Sequence, residues 1–216
     1  RENTTFKPYF QSEQGANYAF GFNNKYQNIP SAFPKDLNSL GGNIQTLANA
    51  GSLLRNNWKV NELSASPNQQ LLLSAGIRVM NKPAIQIGSY TSVAYQLNRT
   101  SFSILRGDFN ENQSGVASPI YAFNDAQYNQ TIRVGIAHNW AFRFKNNRIN
   151  FNHLLSQSSI GRNVIRTGNH FEFNYLPNDH AANQIYTTNY IGQLTGSSVF
   201  GREEDQTVNW TVSYNY

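Results

Sequence analysis

Hydrophobic and polar positions alternate most clearly between residues 131 and 144. Apolar side chains occupy every second position, with one interruption at His138, and the positions between them are small or polar. This period of two predicts a β-strand with an apolar and a polar face. A strand of this length, tilted by about 45°, can cross a hydrocarbon core of about 30 Å. The residues expected to face lipid are Ile132, Val134, Ile136, Trp140, Phe142 and Phe144, and those expected to face a lumen include Arg133, Asn139 and Arg143.

The C-terminal segment repeats this alternation over residues 207–216. Its apolar face carries Val208, Trp210, Val212 and Tyr214, which we also expect to face lipid. Weaker alternation predicts further strands over residues 5–22, 69–80, 84–109, 148–158 and 184–200. The chain therefore holds about seven predicted strands.

The connections between these strands alternate in length. Those at 80–83, 145–148 and 201–205 are short, whereas those at 23–68, 110–129 and 159–183 are long. Tight turns at one rim and long loops at the other are typical of transmembrane β-barrels. The pattern predicts an all-β fold, an antiparallel transmembrane barrel in which residues 1–216 form one domain with its long connections on the outer side.

Composition narrows the classes of protein that fit. The chain has 216 residues, 13% of them charged, no cysteine, and 14 Phe and 12 Tyr against one Met. These values exclude a disulfide scaffold and a disordered polyion. Mean hydropathy is −0.56, and no apolar run is long enough for a membrane-spanning helix. The net charge of +5 comes from scattered Lys and Arg with no basic stripe, so we expect no nucleic-acid partner.

Residues that could carry chemistry are sparse. The four histidines have no metal-ligand spacing, the acidic residues are few, and no nucleophile motif occurs. The sequence thus predicts no enzyme activity, no catalytic residues, no metal site and no cofactor. The predicted connections do carry aromatic side chains, which either stack on a flat ligand or clamp the loops together. These candidate ligand-contacting residues are Trp58, Tyr121, Phe123 and Tyr175.

Several short segments resemble one family. The segments are Thr-Phe-Lys at 5–7, Gly-Phe at 21–22, Ile-Pro-Ser-Ala-Phe-Pro at 29–34, Asn-Asn-Trp at 56–58, Leu-Ser-Ala-Gly at 73–76 and the turns at 81–83 and 145–148. In order and spacing they resemble the barrel of TonB-dependent receptors, specifically the branch with a carboxypeptidase-regulatory-like N-terminal domain.

The resemblance implies a bacterial outer-membrane barrel of 22 strands, with a plug, that imports a scarce ligand using energy relayed by the TonB complex. This chain would supply about a third of those strands and no plug. The implied partners are outer-membrane lipid, the TonB complex through parts of the protein outside this chain, and a surface lipoprotein or other outer-membrane subunits.

Two other interpretations fit part of the pattern. A complete small outer-membrane barrel would explain the C-terminal aromatic Tyr216, but it requires an even number of strands. A secreted carbohydrate-binding β-sandwich would suit the aromatic content, but not the long strands or the alternating loop lengths.

Overall fold

Six long strands in one antiparallel sheet dominate the fold. The computed structural model describes residues 4–12, 16–22, 29–54, 60–111, 115–200 and 206–216. The large sheet has the order β3-β4-β5-β6-β7-β8, so each strand pairs with its neighbours in sequence. Its strands are β3 (Gln69–Lys82), β4 (Ile85–Glu111), β5 (Ala117–Phe144), β6 (Asn147–His170), β7 (Asn178–Phe200) and β8 (Gln206–Asn215). The predicted antiparallel all-β class is confirmed.

The N-terminal part of the chain adds a small second sheet and short helical elements. Strands β1 (Pro8–Ser12) and β2 (Val60–Ser64) pair antiparallel, and 3₁₀ turns cover Ala16–Phe20 and Asn38–Leu40. Helix α1 (Ile44–Leu53) begins where the Asn43 side chain accepts hydrogen bonds from the backbone N–H groups of Gln45 and Thr46. None of the helices in the described ranges is long and apolar enough to span a membrane.

Three sequence-based boundaries are wrong. The predicted strand over 5–22 contains only the short strand β1 and a 3₁₀ turn. The predicted connections 110–129 and 159–183 are mostly strand, since β5 begins at Ala117 and β6 continues to His170. Polar residues occupy both faces of these strand ends, so no regular alternation of apolar and polar positions marks them.

Two faces of the large sheet differ in chemistry. The apolar face carries the even positions of β5 from 132 to 144, and the polar face carries the odd ones. Near the tight turns the apolar face presents uncovered hydrophobic side chains, which we call the apolar band. Its members include Leu71, Leu73, Ile77, Ile85, Val93, Ile136, Phe144, Phe151, Val208, Trp210, Val212 and Tyr214, each at least 36% exposed.

Further from the tight turns, the N-terminal segment covers the apolar face. Tyr18 packs on Leu97 and Ile132, which are 6% and 1% exposed, and the half-buried Val134 adjoins the same cluster. The prediction that Ile132 faces lipid is therefore wrong, because the chain's own Tyr18 covers it. The pattern of one strand could not show this, since Tyr18 lies more than a hundred residues away.

Several polar groups beneath the N-terminal segment form hydrogen bonds. The buried Gln157 donates from its amide to the Gly21 carbonyl at 2.5 Å and accepts from the Thr188 hydroxyl. Ser12 donates to the Asn163 side-chain oxygen at 2.7 Å. Such groups would be costly against lipid. The apolar band thus ends where the N-terminal segment begins.

Candidate functional site

Three charged side chains meet on the polar face, at the end of the sheet away from the tight turns. Arg106 of β4 donates from Nε to Asp125 Oδ2 of β5 at 2.7 Å. Arg166 of β6 donates from Nε to Asp125 Oδ1 at 2.7 Å and from its second guanidinium nitrogen to Oδ2 at 2.8 Å. The Asp125 side chain is 1% exposed, whereas Arg106 and Arg166 are 49% and 34% exposed. One buried carboxylate therefore binds the partly exposed guanidinium groups of two arginines.

The electrostatics favour the ionised form of Asp125. The hydrogen bond from Arg166 lowers the pKa of this carboxyl below its usual range, burial opposes that shift, and Arg106 lowers the pKa further. Asp125 lies eleven residues along β5 from Ile136, or about 36 Å at about 3.3 Å per residue, and so outside the apolar band.

Aromatic rings extend the site beyond the charged group. The Arg166 guanidinium carbon lies 4.8 Å from the centroid of the Phe123 ring, within the range of a cation–π interaction. Tyr121 stacks on Phe123 with ring centroids 4.6 Å apart and planes 14° apart. Because these side chains are two residues apart on one strand, they occupy the same face.

His170 joins these rings to the turn that follows β6. Its ring centroid lies 6.1 Å from Phe123, 5.5 Å from Tyr175 and 4.6 Å from Phe173. A backbone bridge between His170 and Tyr175 closes the turn, and the Phe171 N–H donates to the Ile120 carbonyl at 2.8 Å. Phe173 and Tyr175 remain 71% and 45% exposed. The turn thus presents open aromatic surface.

Gly168 allows the strands to come together beside this cluster. It pairs with Phe123 and has a φ of +139°, a conformation that other residues rarely adopt. A Cβ placed there would lie 2.2 Å from the Ala122 carbonyl oxygen and 2.9 Å from Phe123 Cα. Only glycine fits this position without moving the backbone.

A cavity of about 320 Å³ adjoins the charged group. Its lining includes Arg106, Asp125, Arg162, Arg166 and Asp179. Guanidinium groups bind carboxylate and phosphate through paired hydrogen bonds, and aromatic faces stack on flat groups. The arrangement is suited to binding a ligand that has both a planar and a polar part.

The structure brings together three of the predicted ligand-contacting residues. Tyr121, Phe123 and Tyr175 surround His170, although the first two lie in β5 and not in a loop, which corrects their predicted location. Trp58 lies outside the described residues. Sequence reasoning missed Asp125 and Arg166, since only the pairing of β5 with β6 places them opposite each other.

Arg133, Asn139 and Arg143 all lie on the polar face. Asn139 and Arg143 line a second, larger cavity of about 840 Å³ near the tight turns, and Arg133 lies outside it. Across the ranges that the structure describes, no three His, Asp or Glu side chains are grouped as a metal site.

Comparisons with protein families and with curated proteins identify no relative of this chain. No model of a protein family matches the chain, and no curated protein matches it. The functional argument therefore depends on the geometry of the sheet and its two faces.

Proposed function

We propose that the chain forms part of the transmembrane β-barrel of a TonB-dependent receptor in the bacterial outer membrane. In this proposal the apolar band faces lipid, the polar face lines the lumen, and the aromatic and arginine site near the outer connections contacts the imported ligand. Transport is driven by the TonB complex through parts of the protein outside this chain, and no reaction is catalysed.

The observation that carries the proposal is the exposed apolar band itself. Leu71, Leu73 and Ile77 of β3 are 52%, 60% and 63% exposed, and Val212 and Tyr214 of β8 are 64% and 61% exposed. A contiguous apolar surface of this kind marks contact with a membrane or another protein. The opposite face holds mostly small and polar residues, as expected for a lumen.

Strand length and sheet edges support the same proposal. Strands β4 to β7 have 23 to 28 residues, several times the usual five or six of soluble proteins. Strands β3 and β8 form the two edges and, in the described part of the chain, do not pair with each other. Open edges are costly in lipid, so the proposal requires further strands to close the barrel.

Of the two other interpretations, the sandwich is the less favoured. A sandwich buries the apolar face of one sheet against a second sheet of similar size. Here the second sheet is β1 with β2, five residues each, and it lies against β5 and β6 away from the apolar band. No specific observation favours a small complete barrel over a section of a larger one.

A nitroxide scan along β5 tests the proposal. The intact protein is reconstituted in vesicles, each residue from Ile136 to Arg143 is replaced in turn by a spin-labelled cysteine, and collisions with oxygen and with a polar nickel chelate are measured. Oxygen concentrates in lipid, so its collision rate with the spin label should be highest at the even positions. The collision rate with the nickel chelate should be highest at the odd positions. Equal accessibility of both faces to the nickel chelate would refute a lipid-facing band.

A further inference from the structure

The larger cavity lies on the polar face, at the tight-turn end of β3 to β6. Its charged lining residues are Arg78, Arg143 and Arg148, and among the residues that the structure describes no Asp or Glu lines it. None of the three arginines forms an ion pair within the described part of the chain. The cavity therefore concentrates three positive charges that no acidic side chain of the described ranges compensates.

The strand register places two of these charged side chains next to each other. Arg143 of β5 and Arg148 of β6 are directly opposite each other across the strand pair. Like charges at such positions repel, since their Cβ atoms lie about 5 Å apart. Arg78 pairs with Gly88 of β4, which in turn pairs with Ala141, so it sits two strands from Arg143 on the same face. Two strand spacings are about 10 Å, and Arg143 lies two residues further along β5 than Ala141, so the separation is about 12 Å.

The uncharged lining completes a surface that donates hydrogen bonds. Asn139, Asn150, Asn152 and Tyr90 supply amide and hydroxyl groups around the arginines. Gly88 and Ala141 line the cavity between Arg78 and Arg143, and because both residues are small they leave space there. The volume of about 840 Å³ falls within the range of small-molecule sites.

We propose that this cavity binds a small ligand with at least two anionic groups, carboxylate or phosphate. One group lies between Arg143 and Arg148 and offsets their repulsion, and the second is held by Arg78. Guanidinium groups suit both anions because they donate paired hydrogen bonds to two oxygens. The proposal goes beyond transport, because it assigns a site and a ligand class that can be measured on solubilised protein whether or not transport occurs.

Calorimetric titration of the intact protein in detergent tests the site. The probes are inorganic pyrophosphate and citrate, each titrated at low salt into the natural protein and into two variants. The double variant Arg143→Gln, Arg148→Gln removes the repelling pair. Arg133→Gln is the control, because it removes one positive charge from the same face of β5 outside the cavity.

At least one probe should bind, and the double variant should raise its Kd by about tenfold or more, as expected when two charge-assisted hydrogen-bonding partners are lost. The control should keep its Kd within about twofold, since Arg133 lies ten residues along β5 from Arg143, or about 33 Å at about 3.3 Å per residue. Binding of pyrophosphate alone would identify phosphate as the ligand chemistry, and binding of citrate alone would identify carboxylate. The proposal is overturned if neither probe binds, if the double variant binds equally well, or if the control loses as much affinity.

Thermal unfolding gives a second, independent readout. Without ligand, Arg148→Gln should raise the unfolding midpoint, because it removes a like-charge pair. The probe should raise the midpoint of the natural protein more than that of the double variant at the same probe concentration. A double variant that the probe stabilises as much as the natural protein would place the anion elsewhere and overturn the assignment.

Discussion

Replacing Asp125 with asparagine should lower the free energy of unfolding by about 2 to 3 kcal/mol. The carboxylate accepts three hydrogen bonds from Arg106 and Arg166. Breaking a buried ion pair typically costs about 3 to 5 kcal/mol. Here the cost is smaller, because Arg106 and Arg166 are 49% and 34% exposed and regain water when the carboxylate is lost.

The matched control is Asp179→Asn. Asp179 pairs with Arg166 across β6 and β7, but it is exposed, so its loss should cost less than about 1 kcal/mol. The assay is urea unfolding of the intact protein in lipid vesicles, followed by tryptophan fluorescence. A double-mutant cycle of Asp125→Asn with Arg166→Gln isolates the coupling between the two groups. Equal costs for the two aspartates, or a cost below about 0.5 kcal/mol for Asp125→Asn, would refute the view that the buried carboxylate organises the site.

Three further predictions concern the backbone, the apolar band and pH. Gly168→Ala should destabilise the protein by more than about 2 kcal/mol in the same unfolding assay, because the added carbon meets the Ala122 carbonyl oxygen, whereas Gly51→Ala in α1 should stabilise it by up to about 1 kcal/mol. Ile136→Arg should cost about 2 to 4 kcal/mol in vesicles if that residue lies near the bilayer midplane, and Ala137→Arg on the polar face much less; equal costs would contradict the assignment of faces. The folded-state pKa of Asp125 is lowered, so its stabilisation is complete above the ordinary carboxyl pKa of about 4 and is lost as pH falls through the folded-state value. The stability difference between the natural protein and Asp125→Asn should therefore be constant from pH 5 to 7 and shrink below about pH 4, and a difference unchanged at pH 2 would contradict this reasoning.

Much of the sheet was predictable where one face is apolar. The turn-proximal part of β5 and the whole of β8 alternate strongly, and each is a strand in the structure. Such alternation indicates a strand whose two faces have different surroundings. The apolar band lies on one face of the sheet, and mostly small and polar residues lie on the other. The short connections at 80–83 and 145–148 were also predicted correctly, because turn residues such as Pro83 and Asn146 lie between clear strands.

The remaining features depend on contacts between distant residues. The start of β5 mixes polar, small and aromatic residues on both faces, so no alternation distinguishes Asn124 or Gln127 from loop residues. Asp125 is buried only because Arg106 and Arg166 flank it from neighbouring strands. Ile132 has the same local pattern as Ile136, but Tyr18 packs on Ile132 and buries it.

The position of Tyr18 has a consequence for the order of folding. The strands of the large sheet pair only with neighbours in sequence, so each hairpin can form as soon as its two strands exist. Tyr18, in contrast, packs on Leu97 and Ile132 and bonds with Gln184 of β7. Its docking surface does not exist until the four neighbouring strands β4 to β7 have paired. The N-terminal segment is therefore the part of the described chain that reaches its native contacts last, and until it does so Ile132 and the polar groups around Gln157 remain uncovered.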